Sequence, residues 1–119
     1  MNIPTPTKLI VSKDKRTLTI EFGDEVSYPF SAEMLRVLSP SAEVQGHSTE
    51  QRKTVGGKQN VGIMKMEPVG NYAVRITFDD MHDTGIFSWS YFKELGENRE
   101  ERWQTYLDEL KEKGLSRTP

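Results

Sequence analysis

Tyr72, Val74, Ile76 and Phe78 alternate with Ala73, Arg75 and Thr77, and this period of two constrains the chain more than any other feature. Successive side chains of an extended strand point to opposite faces, so a strand here buries one row and leaves the other to solvent. The same alternation recurs in Leu18, Ile20 and Phe22 against Thr17, Thr19 and Glu21. Strands with one wet face belong to antiparallel sheets, which need a covering layer on the other face only.

Around these two anchors the punctuation defines two meanders. Lys8 to Ser12 is a short apolar run, followed by the charged turn Lys13-Asp14-Lys15-Arg16 and the strand 17–22. Gly23-Asp24 breaks that strand, and Val26, Tyr28 and Phe30 resume the alternation. Pro29 cannot donate to a ladder, which places this third strand at an edge. Val61 to Glu67 opens the second meander, and Pro68-Val69-Gly70-Asn71 turns it into the strand 72–78. The acidic turn Asp79 to Asp83 leads to a last short strand, Thr84 to Trp89.

Helices fill the rest, apart from the long polar stretch Ser39 to Asn60, which carries no clear element. Ser31 caps a short helix carrying Met34, Leu35, Val37 and Leu38, which Pro40 ends. Ser90 is expected to cap a second helix ending at Gly96, and Asn98 with Glu101 resembles a capping box for a third. On that third helix Trp103, Tyr106, Leu107 and Leu110 form one apolar stripe, closed by Gly114. The predicted fold is α+β: five to six antiparallel strands in two meanders, a short helix between them, and C-terminal helices packed on the sheet.

A chain of 119 residues is one domain's worth. Only 34% of its residues are hydrophobic and 29% are charged, which makes for a thin core under a well-solvated surface. With no cysteine, it has no disulfide, thiolate nucleophile, cysteine-based zinc site or cysteine-ligated cluster. A net charge of −2 does not favour a polyanion as partner, so neither nucleic acid nor an anionic membrane is expected. There is no apolar signal core near the start and no run of roughly 18 apolar residues. The expected setting is the cytoplasm, and the expected state a monomer that meets another protein.

The chemistry-bearing residues gather at two places. His82 lies among carboxylates in Asp79-Asp80-Met81-His82-Asp83, where an imidazole serves as metal ligand, as acid–base group, or as part of a capped turn. His47 and Glu43 stand at i and i+4 in the long polar stretch Ser39 to Asn60, although Pro40 and Gly46 oppose a regular helix there. A divalent-metal site of His82, His47, Glu43 and an aspartate requires that stretch to fold back on the acidic turn. No spacing matches a known metal motif. Ser39, Ser41 and Ser48 near His47 lack the Gly-x-Ser-x-Gly elbow of a hydrolase. Val55-Gly56-Gly57-Lys58 lacks phosphate-loop spacing and, with Arg52 and Lys53, reads as a solvated basic loop. Asp79 and Asp80 are adjacent and point apart, so they make no catalytic pair. Trp89, Tyr91 and Phe92 read as core rather than as a stacking platform.

An ordered series of segments carries a family resemblance. Leu35-Arg36 precedes Ser39-Pro40-Ser41-Ala42-Glu43-Val44-Gln45-Gly46-His47; Val61-Gly62-Ile63 and Glu67-Pro68-Val69-Gly70-Asn71-Tyr72-Ala73-Val74 follow. Phe78-Asp79-Asp80, His82-Asp83 with Gly85, and Ser88-Trp89 complete it. From about Thr5 to Gly96 the chain closely resembles the gamma-butyrobetaine hydroxylase-like N-terminal domain family. This divides it into a family domain, 1–96, and a C-terminal helical extension, 97–119.

Members of that family stand alone in bacteria, precede the catalytic domain of carnitine-pathway dioxygenases, or are fused to P-loop iron–sulfur cluster carriers. The dioxygenase domain is absent here, so the resemblance transfers no hydroxylase activity. In the hydroxylases the domain holds a structural zinc through three cysteines and one histidine. The resemblance places the cysteines at Ser39, Ser41 and Val44 and the histidine at His82, so three of four ligands are missing. It implies a metal-free polar cluster joining the 39–47 segment to the acidic turn through Arg36, Ser39, Ser41, Asp79, Asp80 and Asp83. No catalytic residue and no cofactor are expected, and the functional expectation is a non-catalytic interaction or accessory module associated with iron–sulfur cluster handling or a metalloenzyme. The alternative is a small protein binding zinc or another divalent ion through His82, His47 and Glu43.

Overall fold

The structure is a computed structural model that describes residues 5–23, 25–41, 44 and 53–119. Both meanders form, each as its own three-stranded antiparallel sheet. The first contains β1 (Lys8–Val11), β2 (Thr17–Phe22) and β3 (Val26–Ser31); the second contains β4 (Ile63–Val69), β5 (Ala73–Phe78) and β6 (Gly85–Ser88). Helix α1 (Ala32–Val37) follows the first sheet, and α2 (Trp89–Glu97) and α3 (Arg99–Glu112) follow the second.

Register explains the core. Leu18 stands between Val11 and Phe30, and Ile20 between Leu9 and Tyr28, which lines up one apolar face. Val74 pairs with Pro68 and Phe87, and Ile76 with Met66 and Gly85, to make the facing layer. Leu18, Ile20, Phe30, Ile76, Phe78, Phe87, Phe92 and Leu95 are all sealed from solvent in one cluster. Pro29 sits opposite Thr19 in β3, an edge strand, so its missing N–H interrupts no ladder. The sheets meet where the Ile63 N–H donates to the Lys15 carbonyl, 2.7 Å away.

Besides the shift of β4 from 61–67 to Ile63–Val69, which takes Pro68 and Val69 out of the turn, four details depart from the sequence reading. Tyr72 is a turn residue and 57% exposed, because the turn through Gly70 (φ +56°) delays β5 until Ala73. The cap of α2 is Ser88, whose Oγ accepts from the Tyr91 N–H, since the chain passes directly from β6 into the helix. Gly96 does not end α2 but lies within it, where a Cβ would overlap the Tyr28 ring. Asn98 turns its side-chain amide back to the Glu94 carbonyl, 2.9 Å away, so it makes no capping box for α3.

At the other end of α3 the expected glycine stop holds. Gly114 adopts φ +68°, and Leu115 N–H and Gly114 N–H return to the carbonyls of Leu110 and Lys111. This Schellman pairing satisfies carbonyls that would otherwise be left open. It also sends residues 115–119 back across the 53–60 segment. There Gly57 N–H and Gln59 N–H donate to Ser116 and Arg117 carbonyls at 2.8 and 3.0 Å. Tyr106 and Leu110 of α3 are buried in the same core as the two sheets.

Candidate functional site: a polar staple between α1 and the acidic turn

Helix α1 is less than two turns long and nearly all buried. Ser31 caps it by accepting from Met34 N–H at 3.0 Å, which sets where the helix begins. Arg36 Nε donates to Asp80 Oδ2 at 2.8 Å, and Lys58 Nζ reaches the same oxygen at 2.6 Å. The other carboxylate oxygen of Asp80 accepts the His82 N–H at 3.2 Å. One carboxylate thus ties α1, the 53–60 segment and the β5–β6 turn together.

The turn is shaped by its backbone. Phe78 N–H donates to the His82 carbonyl and Met81 N–H to the Phe78 carbonyl, with Met81 in the left-handed region at φ +73°. This reversal leaves Met81 in solvent and tucks the His82 ring inward against Phe78. His82 Nε2 and Ser39 Oγ are then 3.0 Å apart, both groups buried. The Tyr91 hydroxyl donates to the Leu38 carbonyl beside them. Gly85 makes the approach of Ser39 feasible, since a Cβ there would overlap Ser39 Oγ.

Burial by itself raises the Asp80 carboxyl, but the hydrogen bonds from Lys58, Arg36 and His82 outweigh it and bring its pKa down from 3.8 to about 2. A carboxylate depressed in the folded state contributes stability above its unfolded pKa and loses that contribution as pH falls toward the folded value. The contribution is roughly 2 kcal/mol near neutral pH. Asp80→Asn is therefore expected to flatten the loss of stability between pH 5 and pH 2, measured by urea unfolding at stepped pH.

Ser39 and His82 have the spacing of a nucleophile and its base. Ser39 is completely buried, however, so no substrate reaches its hydroxyl. The structure brings Arg36, Ser39, Asp80 and His82 together. Ser41 is buried nearby, but its hydroxyl has no hydrogen-bond partner among the described residues. Asp79 and Asp83 are exposed and outside the cluster. Glu43 and His47 lie outside the described residues. Lys58, Tyr91 and Gly85 complete the staple; the sequence reads Tyr91 as core, Gly85 as part of the family series and Lys58 as part of a solvated loop, whereas Lys58 is held on Asp80.

A second charged pair stands behind the first. Glu33, only 4% exposed, receives Arg117 Nε and Nη2 at 2.9 and 2.7 Å, and the guanidinium lies 5.3 Å from the centre of the Trp103 ring. Tyr106 donates to the Val55 carbonyl at 2.6 Å. Burial, with Glu33 adding to it, pushes the Tyr106 hydroxyl up to about 12, so it stays a donor at any ordinary pH.

Comparison with known proteins places this arrangement. The family model described as gamma-butyrobetaine hydroxylase-like, N-terminal, matches residues 9–93, and the chain belongs to that family. Two solution NMR structures are similar to it over nearly its whole length. One is 45% identical, covers 99% of this chain and 93% of its own, and superposes with a TM-score of 0.86. The other is 43% identical, covers 98% and 86%, and has a TM-score of 0.82. A crystal structure of a protein of unknown function in the DUF971 family, from Acidithiobacillus ferrooxidans ATCC 23270, is 32% identical. It covers 77% of this chain and 92% of its own, with a TM-score of 0.64. No curated protein matches. Among the described residues no helix is long and apolar enough to cross a membrane.

The zinc that the family resemblance implies does not fit the residues present. Its four positions carry an imidazole, two neutral hydroxyls and the isopropyl group of Val44, where structural zinc takes thiolates and imidazoles. His82 Nε2 is moreover engaged by Ser39 Oγ. Among the described residues no three His, Asp or Glu side chains gather at metal-binding spacing.

Proposed function

We propose that this chain is a cytoplasmic, non-catalytic interaction module that works as a monomer on another protein, as an accessory to iron–sulfur cluster handling or to a metalloenzyme. The observation that carries the reading is how the site spends its own chemistry. Asp80 is held by Arg36, Lys58 and the His82 N–H, and the His82 ring nitrogen by Ser39, all inside the fold. Groups consumed in this way position backbone; they do not turn over substrate. What faces solvent instead is contact surface, including the exposed Met64, Tyr72, Met81 and Ile86. The iron–sulfur association rests on the company that relatives keep, which is analogy.

Native mass spectrometry of the protein isolated gently from its own cells, without chelator, tests the reading. The expected result is a stoichiometric complex with a second protein. A bare monomer would overturn it, and so would a bound divalent ion lost in His82→Ala.

A further inference from the structure

Three shallow depressions run into one another across the seam between the two sheets. The first, about 160 Å³, lies beside the staple and is lined by Lys58, Asp80, Asn60 and Asp79. Asn60 and Asp79 also line the second, about 400 Å³, with Asp14, Lys15, Arg16 and Met64. Lys15, Ile63 and Met64 continue into the third, about 270 Å³, with Val11, Lys65 and Met66. The result is a groove that starts at Asp80 and ends between β1 and β4, each the outer strand of its sheet.

We infer that this groove receives an extended, acidic and apolar segment of the partner protein, laid along the open edge of β4. The inference rests on the interaction-module reading and names the surface and the chemistry of what binds there. The last stretch of the groove is floored by Val11, Ile63, Met64 and Met66, and among the described residues the charges that line it are those of Lys15 and Lys65. Met64 is 55% exposed, and unbranched methionines repack around varied apolar side chains. The Lys65 side chain is 62% exposed and only loosely paired with Glu67 at 3.6 Å, while Lys15 makes no ion pair among the described residues. Two lysines on an open edge repel a second copy of the same edge and favour a strand bearing carboxylates. An added strand also takes backbone hydrogen bonds from that edge. Ile63 N–H is already given to the Lys15 carbonyl and Pro68 has no N–H to offer, which confines the pairing to the stretch from Met64 to Glu67. Farther along, Asp14 and Asp79 balance Lys15 and Arg16, so the groove offers no continuous positive track to a polyanion.

The test is an amide-resolved NMR titration of the whole chain with a blocked ten-residue peptide alternating Glu with Leu. Saturable shifts are expected at Lys15 and at Met64 to Met66, weakening at high salt. The double variant Lys15→Glu/Lys65→Glu, changed only at exposed positions, should bind at least tenfold more weakly with its spectrum otherwise native. A Lys–Leu peptide should not bind. Absence of saturable binding, unchanged affinity in the double variant, or shifts confined to another surface would each overturn the inference. So would tighter binding of oligothymidine at the same amides, or a concentration-dependent dimer lost in the double variant. A partner complex captured equally by wild type and double variant would reject the groove while leaving the interaction reading intact.

Discussion

Arg117→Ala lowers the stability of the protein by about 3 kcal/mol, read as a fall in the urea midpoint at unchanged slope. The Arg117 side chain is 40% exposed, so its own loss costs little. The cost falls on Glu33, which is 4% exposed and left as a buried carboxylate without its two charge-assisted hydrogen bonds. The Trp103 face loses its cation as well. The pair is a constraint more than a source of stability, because the Glu33 carboxylate had to be taken from water to make it. Glu33→Met combined with Arg117→Met is accordingly expected to recover most of the loss. Equal damage in the single and the double variant would place the effect in the tail backbone, where Ser116 and Arg117 accept from Gly57 and Gln59.

Gly85→Ala costs about 2 kcal/mol, in the range of an overpacked core. The added methyl overlaps Ser39 Oγ and comes within 3.0 Å of Phe87 Cε1, and both neighbours are completely buried. Ser39 can yield only by leaving His82. In a Ser39→Ala background the overlap with the hydroxyl disappears, so the same Gly85→Ala change should cost clearly less. A thermodynamic cycle over the four proteins measures the difference. Additive losses would mean that Phe87, not the Ser39–His82 contact, fixes glycine at this position.

What the sequence disclosed follows from the range of each interaction. Leu18, Ile20 and Phe22, and Val74, Ile76 and Phe78, announce their strands because a period of two is written in neighbouring residues. The Schellman stop at Gly114 is equally local. Tyr72 obeys the same alternation and yet lies in a turn, since the geometry of Gly70 and Asn71 rather than hydropathy decides where β5 begins. Glu33 resembles any solvated glutamate on a helix; only a partner 84 residues away explains its burial. Ser39 and His82 are 43 residues apart, and no spacing rule joins them. Their meeting was legible only through the family resemblance, which set them at neighbouring positions of a zinc site. In this chain the two positions carry a serine and a histidine, which meet in a hydrogen bond of 3.0 Å. Lys58 was visible as a basic residue after two glycines, but its destination on Asp80 depends on how the 115–119 tail and Tyr106 hold the 53–60 segment.

The long-range contacts are also nested, which bears on the order in which the chain assembles. Arg36–Asp80 and Ser39–His82 span 44 and 43 residues, and Glu33–Arg117 encloses both with a span of 84. Closing a loop costs entropy that grows with its length, and slow folding follows when distant contacts must form first. Once the inner pair has closed, the chain still free between Glu33 and Arg117 is much shorter than 84 residues, and the outer closure becomes the easier step. On that ground the staple is expected to act as a kinetic shortcut, with the β5–β6 turn docking on α1 before the tail with Arg117 closes.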